Sequence, residues 1–179
     1  MVPGATVAGA AFTIAAEPSD LVLENPYEHE IDAVDAIPTG AFVVLATGGT
    51  CEAAVWGELL ATVAARRGAV AAVSDGAVRD VRGLRQLGLP TYAAAVCARD
   101  SHGRLLVTGS GHDVVCGGVR VSQGDAVLAD EDGVVVVPAA LAARAVGAAE
   151  EKLGLEAAAR SALEEGTGLQ AMYAEQGVL

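Results

Sequence analysis

The chain has 179 residues, of which 53% are hydrophobic and 3% are aromatic, and its formal net charge is −12. This length suits a single domain over residues 1–179 with a core of small side chains. The acidic balance argues against nucleic acid as a partner, because phosphate binding needs clustered Lys and Arg. We also predict no membrane span, because the longest charge-free apolar run, 133–143, contains Pro138 and is too short to cross a bilayer.

Two features predict a cytoplasmic protein. Residues 1–5 lack the basic start of a secretory signal. The three cysteines, Cys51, Cys97 and Cys116, are widely spaced and odd in number, which favours free thiols over a disulfide framework or a zinc site. Free thiols are typical of a reducing compartment.

The first half of the chain alternates between strand and helix patterns. Apolar and β-branched runs predict strands at 6–16, 42–46, 69–73 and 91–97. Apolar residues at helical spacing predict a helical turn around 31–37, a helix within 51–67 and a short helix over 79–87. The run 42–46 is entirely apolar, so we expect that strand to be covered on both faces. Asp75-Gly76 is predicted to be a turn.

Gly57 interrupts the second helical pattern, whose apolar stripe is Val55, Trp56, Leu59, Leu60 and Val63. Two interpretations are open. Either this glycine permits close packing inside the helix, or the helix begins there. In the second case the first backbone N–H groups of the helix have no partner and point at an anion site.

The sequence pattern changes in the second half of the chain. Short apolar runs separated by Gly- and Asp-rich turns predict antiparallel hairpins over 114–137. An Ala-rich helix is predicted over 139–165, ending at Gly166, with one apolar face against the body of the protein or against another subunit. The whole order predicts a mixed α/β domain with two β layers.

Arg79 and Asp80 are the candidate site residues, because charges just past the carboxyl end of a strand lie where α/β proteins build sites. A guanidinium can hold a carboxylate or an oxo group, and a carboxylate can hold a hard divalent cation. The alternative is a surface ion pair at a helix start. Twenty residues separate Glu58 from Arg79, and a right-handed crossover can bring Glu58 to the same end of the sheet, which favours a site.

Several stretches carry a family resemblance: 55–59, 75–80, 99–104, 116–119 and 130–138. The chain resembles the family that joins the regulator of ribonuclease activity A to the 4-hydroxy-4-methyl-2-oxoglutarate/4-carboxy-4-hydroxy-2-oxoadipate aldolases. The most specific shared element is an acidic residue, twenty intervening positions and then Arg-Asp. Glu58, Arg79 and Asp80 match it, with Glu where Asp is often found.

This resemblance implies a swivelling β/β/α domain with two β layers and flanking helices. It implies a homotrimer or a hexamer made of two trimers, with the site at a subunit interface. It also implies a class II aldolase that cleaves 4-hydroxy-2-oxo diacids to pyruvate and a second oxo-acid, with oxaloacetate decarboxylase as a side activity. The family's usual N-terminal helical segment is expected to be absent here.

The resemblance also implies roles for individual residues. Asp80 would hold Mg²⁺ or Mn²⁺ largely through waters, and Arg79 would contact the keto oxygen of the substrate. The substrate carboxylate would be held by the backbone amides of Gly57, Glu58, Leu59 and Leu60. Glu58 would orient the water that takes the proton from the substrate hydroxyl.

The resemblance also bears on two further positions. Gly83 stands where a variant of the motif has a carboxylate. Glu156 is a candidate for an acid supplied by a neighbouring subunit, and a solvated helix face is the alternative interpretation. The alternative function is a non-catalytic regulator that binds a ribonuclease or another partner protein. The presence of both Arg79 and Asp80 favours the enzyme.

Overall fold

The computed structural model describes residues 6–179, so the expectation about a secretory signal, which depends on residues 1–5, lies outside the described residues. The chain divides into two compact units, one ending at Ala139 and one spanning Ala140–Leu179. The single domain over 1–179 stays a prediction.

The first unit contains the sheets and three of the helices. Its elements are β1 (Val7–Pro18), α1 (Glu28–Asp35), β2 (Ala41–Ala46), β3 (Ala54–Trp56), α2 (Glu58–Arg66), β4 (Ala71–Val78), α3 (Val81–Leu87), β5 (Thr91–Val96), β6 (Leu105–Ser110), β7 (Val114–Cys116), β8 (Val119–Val121), β9 (Ala126–Ala129) and β10 (Val134–Val137).

Eight of these strands form one mixed sheet. Its order is β10-β9-β1-β2-β4-β3, with β5 also paired to β4 and β6 also paired to β1. The pairs from β1 through β2 and β4 to β3 and β5 are parallel, whereas β6 and β9 pair with β1 in the antiparallel sense. β7 and β8 form a separate antiparallel hairpin. The predicted mixed α/β class, with two β layers and flanking helices, is confirmed.

β2 lies at the centre of the core, with all six residues buried. Val43 and Leu45 point to a cluster shared with α1, α2 and α3, whereas Phe42 and Val44 belong to a second cluster shared with β7, β8 and β9. Successive side chains of a strand alternate between the two faces of a sheet. The prediction that this strand is covered on both faces is therefore confirmed.

Two predictions about the centre of the chain are wrong. Asp75-Gly76 is not a turn, because β4 continues through both residues to Val78. Val55 and Trp56 belong to the strand β3 and not to a helical stripe. The residues of α2 that are fully buried are Ala61 and Ala64. A three-residue strand is too short to show a period in the sequence, and pairing with β4 is what forms it.

The second unit is helical in its described residues. A short 3₁₀ turn, Ala139–Leu141, leads into α4 (Ala142–Glu164), and α5 (Leu169–Gln176) follows. Gly166 has a φ of 95° after the end of α4, so the predicted helix stop is confirmed. Ala159 is the buried residue of α4 and Met172 is that of α5.

Candidate functional site

The site is built at the carboxyl end of β4. Because β4 continues to Val78, Arg79 and Asp80 follow the strand directly, and the Arg79 N–H donates to the Trp56 carbonyl at 2.9 Å. Asp80 has φ 57° and ψ 38°, the left-handed region, and it is the only non-glycine residue with positive φ between residues 6 and 179. Such a conformation costs roughly 1–2 kcal/mol. Strained backbone of this kind concentrates at functional sites.

Gly57 brings the chain segment before α2 into contact with this pair. A Cβ added at Gly57 would lie 2.6 Å from Asp80 Oδ2 and 2.9 Å from Arg79 Cγ. Any larger residue would therefore push both charged side chains away. The Glu58 N–H donates to Asp80 Oδ2 at 3.3 Å, which ties the start of α2 to the same carboxylate.

These contacts decide between the two interpretations of Gly57. α2 begins at Glu58, with Gly57 extended at the N-cap, so the helix does start there. The same glycine also permits close packing, against Arg79 and Asp80 rather than inside a helix. The first helical bond runs from Ala61 N–H to the Gly57 carbonyl at 3.0 Å. The N–H groups of Leu59 and Leu60 have no acceptor among the described residues and remain able to bind an anion.

Asp100, which sequence reasoning assigned no role, orients the Arg79 guanidinium. Arg79 Nη2 lies 3.2 Å from Asp100 Oδ2. The other oxygen of Asp100 accepts the Tyr27 hydroxyl at 3.0 Å and the His102 N–H at 2.8 Å. The Tyr27 hydroxyl has a raised pKa, chiefly because it donates to the Asp100 carboxylate. A half-exposed ion pair adds little stability, so its effect here is to fix the direction of the guanidinium.

Glu30 is the second residue that sequence reasoning missed. It lies in α1 and is 9% exposed, and its Oε1 accepts the Ser101 hydroxyl at 2.6 Å. Burial raises the pKa of the Glu30 carboxyl, and the nearby Asp100 charge raises it too, while the Ser101 hydrogen bond and Arg79 act in the opposite direction. One acid among the four of α1 gives no sequence signal, because its burial depends on a loop that lies 71 residues away.

These groups face one cavity of about 440 Å³. Its lining combines the charged residues with apolar side chains of α1 and α2: Tyr27, Glu30, Ile31, Ala54, Val55, Gly57, Leu59, Leu60, Arg79, Asp80, Asp100 and Ser101. The structure thus brings Gly57, Leu59 and Leu60 together with Arg79 and Asp80 around one cavity, and the roles of these residues remain predictions. An apolar wall with a few convergent polar groups is typical of small-molecule sites.

Two predicted residues lie elsewhere. The Glu58 side chain packs over Gly83 of α3, at the position that a Cβ of residue 83 would occupy, and it is not part of the cavity lining. Glu156 lies on α4 in the second unit, where its carboxylate pairs with Lys152 at 3.4 Å. The roles of Glu58 and Glu156 remain predictions.

The donor set allows only a particular kind of metal site. Residues 6–179 contain no group of three or more His, Cys, Asp or Glu side chains that could hold an ion. Asp80 offers one exposed carboxylate beside the cavity. Mg²⁺ keeps several waters and is commonly held by one or two carboxylates plus the substrate, so a largely hydrated ion fits this residue and an all-protein cage does not.

The part of the chain that the structure describes has no helix that is both long and apolar enough to cross a membrane.

Comparison with known proteins identifies the family. A family model described as RraA-like, Aldolase/RraA, matches residues 1–136. The chain belongs to this family. A Streptomyces coelicolor structure, RraAS2, described as an unusual member of the RNase ES inhibitor RraA protein family, has the same fold with a TM-score of 0.80 and 27% identity. That match covers 89% of this chain and 79% of RraAS2.

Two curated relatives are similar to part of this chain, and one of them has an aldolase name. A Halalkalibacterium halodurans protein named "Putative 4-hydroxy-4-methyl-2-oxoglutarate aldolase" is 32% identical over 102 residues, which are 55% of this chain and 47% of that protein. Protein DlpA of Legionella pneumophila is 27% identical over 135 residues, 75% of this chain and 22% of that protein. The chain thus matches less than half of the length of either relative.

Proposed function

We propose that this chain is a divalent-metal-dependent aldolase that cleaves 4-hydroxy-2-oxo diacids to pyruvate and a second oxo-acid, with oxaloacetate decarboxylation as a side activity. One observation carries the proposal. Arg79 and a strained, exposed Asp80 converge on the backbone of Gly57 beside a cavity at the carboxyl end of β4. The family's aldolase members support the reaction class.

The start of α2 would bind the substrate carboxylate. The N–H groups of Leu59 and Leu60 lie at the amino end of a nine-residue helix, whose dipole favours an anion. The Glu58 N–H is already directed at Asp80 Oδ2. The substrate's carboxyl end would therefore lie over Leu59 and Leu60, with its keto oxygen toward Arg79.

Arg79 would stabilise the negative charge that develops on the keto oxygen when the carbon–carbon bond breaks. Asp100 holds the guanidinium in a fixed direction, so little reorganisation is needed as the charge forms. Asp80 would hold a hydrated Mg²⁺ or Mn²⁺, which when bound supplies Lewis-acid stabilisation at the same oxygen. Glu58 would orient the water that accepts the proton of the substrate hydroxyl, and for this role its side chain would turn from Gly83 toward the cavity.

We extend the proposal to the assembly and its surroundings. The family resemblance supports a homotrimer or a hexamer of two trimers, in which Glu156 of a neighbouring subunit would supply a further acid. A small oxo-acid is the partner, with no nucleic acid and no membrane. The three free cysteines suit the reducing cytoplasm.

The test is pyruvate release by the purified chain. We expect release from oxaloacetate and from a 4-hydroxy-2-oxo diacid with added Mg²⁺ or Mn²⁺, and loss of both activities with a chelator. Coupled oxidation of NADH by lactate dehydrogenase measures both reactions. No pyruvate from either substrate with either metal would contradict the aldolase proposal.

The second candidate is a docking protein that regulates a ribonuclease, and the description of RraAS2 as a member of an RNase inhibitor family supports it. Such a protein would bind its partner equally well with Arg79 or Asp80 replaced. A pull-down of a purified RNase E-type endonuclease, with and without these replacements, separates the two candidates.

A further inference from the structure

Glu30 is a buried acid in the candidate site for which the proposed reaction has so far no use. It is 9% exposed and lines the same cavity as Arg79 and Asp80. Both Asp100 and Arg79 are near enough to influence its ionisation.

The surroundings of Glu30 favour its neutral form over its charged form. Its hydrogen-bond donor is the Ser101 hydroxyl, which is uncharged. Among the described residues no cation forms an ion pair with it, because the nearby Arg79 pairs with Asp100. A buried carboxylate without a cationic partner is costly. An acid kept in such a place beside a cavity is a candidate for proton transfer.

We propose that Glu30 donates the proton that converts the pyruvate enolate into pyruvate. This rests on the proposed aldolase function and adds a residue to it. The carboxylic O–H bond of Glu30 breaks, and its proton forms a bond with the C3 carbon of the enolate. The electron pair for the new C–H bond comes from the enolate, whose oxygen, held by Arg79, returns to a keto group.

The proton balance closes over one turnover. Cleavage releases one proton from the substrate hydroxyl, and the step at C3 consumes one. Glu30 is left as a carboxylate and regains its proton from water, so no outside acid, oxidant or reductant is required. In the reverse sense the same carboxylate removes a methyl proton from bound pyruvate.

The reverse step gives a direct test. Pyruvate is incubated with the protein and Mg²⁺ in D₂O, and the loss of the methyl proton signal is followed by NMR. Glu30→Gln keeps an acceptor for the Ser101 hydroxyl and removes only the transferable proton. We expect exchange to fall by about 100-fold or more, the range of general acid–base catalysis. Glu28→Gln, an exposed acid on the same helix, should exchange at the wild-type rate.

A split between two rates separates proton transfer from a structural role. Loss of CO₂ from oxaloacetate precedes the step at C3, so in a single turnover with protein in excess Glu30→Gln should lower the rate of CO₂ release much less than it lowers exchange. Equal losses in the two rates would mean a binding or structural role and would overturn the proposal. Unchanged exchange would also overturn it, while leaving the aldolase function standing. A wild-type protein that neither exchanges pyruvate protons nor releases pyruvate would overturn both.

The pH dependence gives a further readout. Glu30 must be protonated to act as the donor, so the rate of pyruvate formation falls as pH rises through the pKa of Glu30. Burial raises this pKa, so the fall occurs at higher pH than for an ordinary Glu. The charged groups acting on it are Asp100, after β5, and Arg79, after β4. β6, which also packs on α1, carries no charged residue, and in α2 neither Glu58 nor Arg66 contributes to this shift. Glu30→Gln should remove this limb of the pH–rate profile, and a limb that persists would contradict the assignment.

Discussion

Asp75 and Asp80 lie five residues apart near the carboxyl end of β4, and their carboxylates have opposite environments. Asp75 is half-buried within β4 and accepts three hydrogen bonds, from the Thr47 N–H at 2.6 Å, the Thr47 hydroxyl at 3.0 Å and the Gly117 N–H at 3.2 Å. It therefore ties the end of β2 to the β7–β8 turn. Asp80 is exposed, accepts the Glu58 N–H at 3.3 Å and sits in left-handed backbone.

The difference indicates that Asp75 stabilises the fold and that Asp80 is available to bind a ligand. A carboxylate whose lone pairs are occupied by protein donors stabilises the structure and has little capacity left for a ligand. A carboxylate held in strained backbone, with one long hydrogen bond, costs stability and keeps that capacity. By this criterion the two acids near the carboxyl end of β4 have different functions.

The largest expected effect comes from removing the site charges. Arg79→Ala and Asp80→Ala should each lower the rate of pyruvate release by about 100-fold or more, the scale of losing a group that stabilises an oxyanion. Asp75→Asn is the matched control, and its rate per folded molecule should stay near the wild-type value. Steady-state rates of pyruvate release measure the activity of each variant, and circular dichroism on the same samples shows that each variant is folded. If Asp75→Asn lost activity as fully as Asp80→Ala, the comparison would fail.

A smaller loss is expected for Gly57→Ala. Its methyl group would lie 2.6 Å from Asp80 Oδ2 and 2.9 Å from Arg79 Cγ, so both side chains must move. A displacement of this size in a catalytic group costs on the order of 100-fold or less. Gly88→Ala has open space around its Cβ but a φ of 75°, so it controls for the strain of losing a glycine near the site. The kcat of Gly57→Ala should fall and that of Gly88→Ala should not.

The fold-stabilising role of Asp75 predicts a change in stability. Asp75→Ala removes three acceptor contacts and leaves the Thr47 hydroxyl and the Gly117 N–H without their partner. The free energy of unfolding should drop by about 1–3 kcal/mol. Asp80→Ala should lower it by less, because it breaks only one long hydrogen bond and adds a small strain by placing Ala in left-handed backbone. Urea denaturation of the two variants gives the numbers, and a larger loss for Asp80→Ala would reverse our assignment.

The smallest expected effect is a difference in alkylation rate between two thiols, Cys116 and Cys97. Burial raises the pKa of Cys116, beside Asp75, to about 11. The backbone N–H of Arg99 holds the pKa of Cys97, which follows β5, below its ordinary value. At pH 8 Cys97 therefore has the larger thiolate fraction and should be alkylated first. Mass spectrometry of iodoacetamide-treated protein measures the order, and Cys97→Ser identifies the fast site. Equal rates in the folded protein would contradict the burial argument.

Much of the fold could be predicted from local patterns. The all-apolar run 42–46, the helical pattern over 79–87 and the hairpin patterns over 114–137 correspond to β2, α3 and the pairs β7–β8 and β9–β10. Such signals depend on residues close together in the chain, and the backbone preferences of glycine and the periodicity of apolar residues express them directly. The approach of Arg79 and Asp80 to the start of α2 was expected from the family resemblance, through the motif that Glu58, Arg79 and Asp80 match.

Tertiary structure decided the rest. β3 forms because β4 is present to pair with it, and β4 passes through Asp75-Gly76 because pairing with neighbouring strands outweighs a local turn preference. Glu30 and Asp100 join the site across separations that no local pattern records. Their positions come from the packing of α1 against the β5–β6 loop. Burial, not residue type, is what makes Glu30 an unusual acid. Burial depends on the whole fold, because every element that excludes water from this carboxylate comes from a different part of the chain.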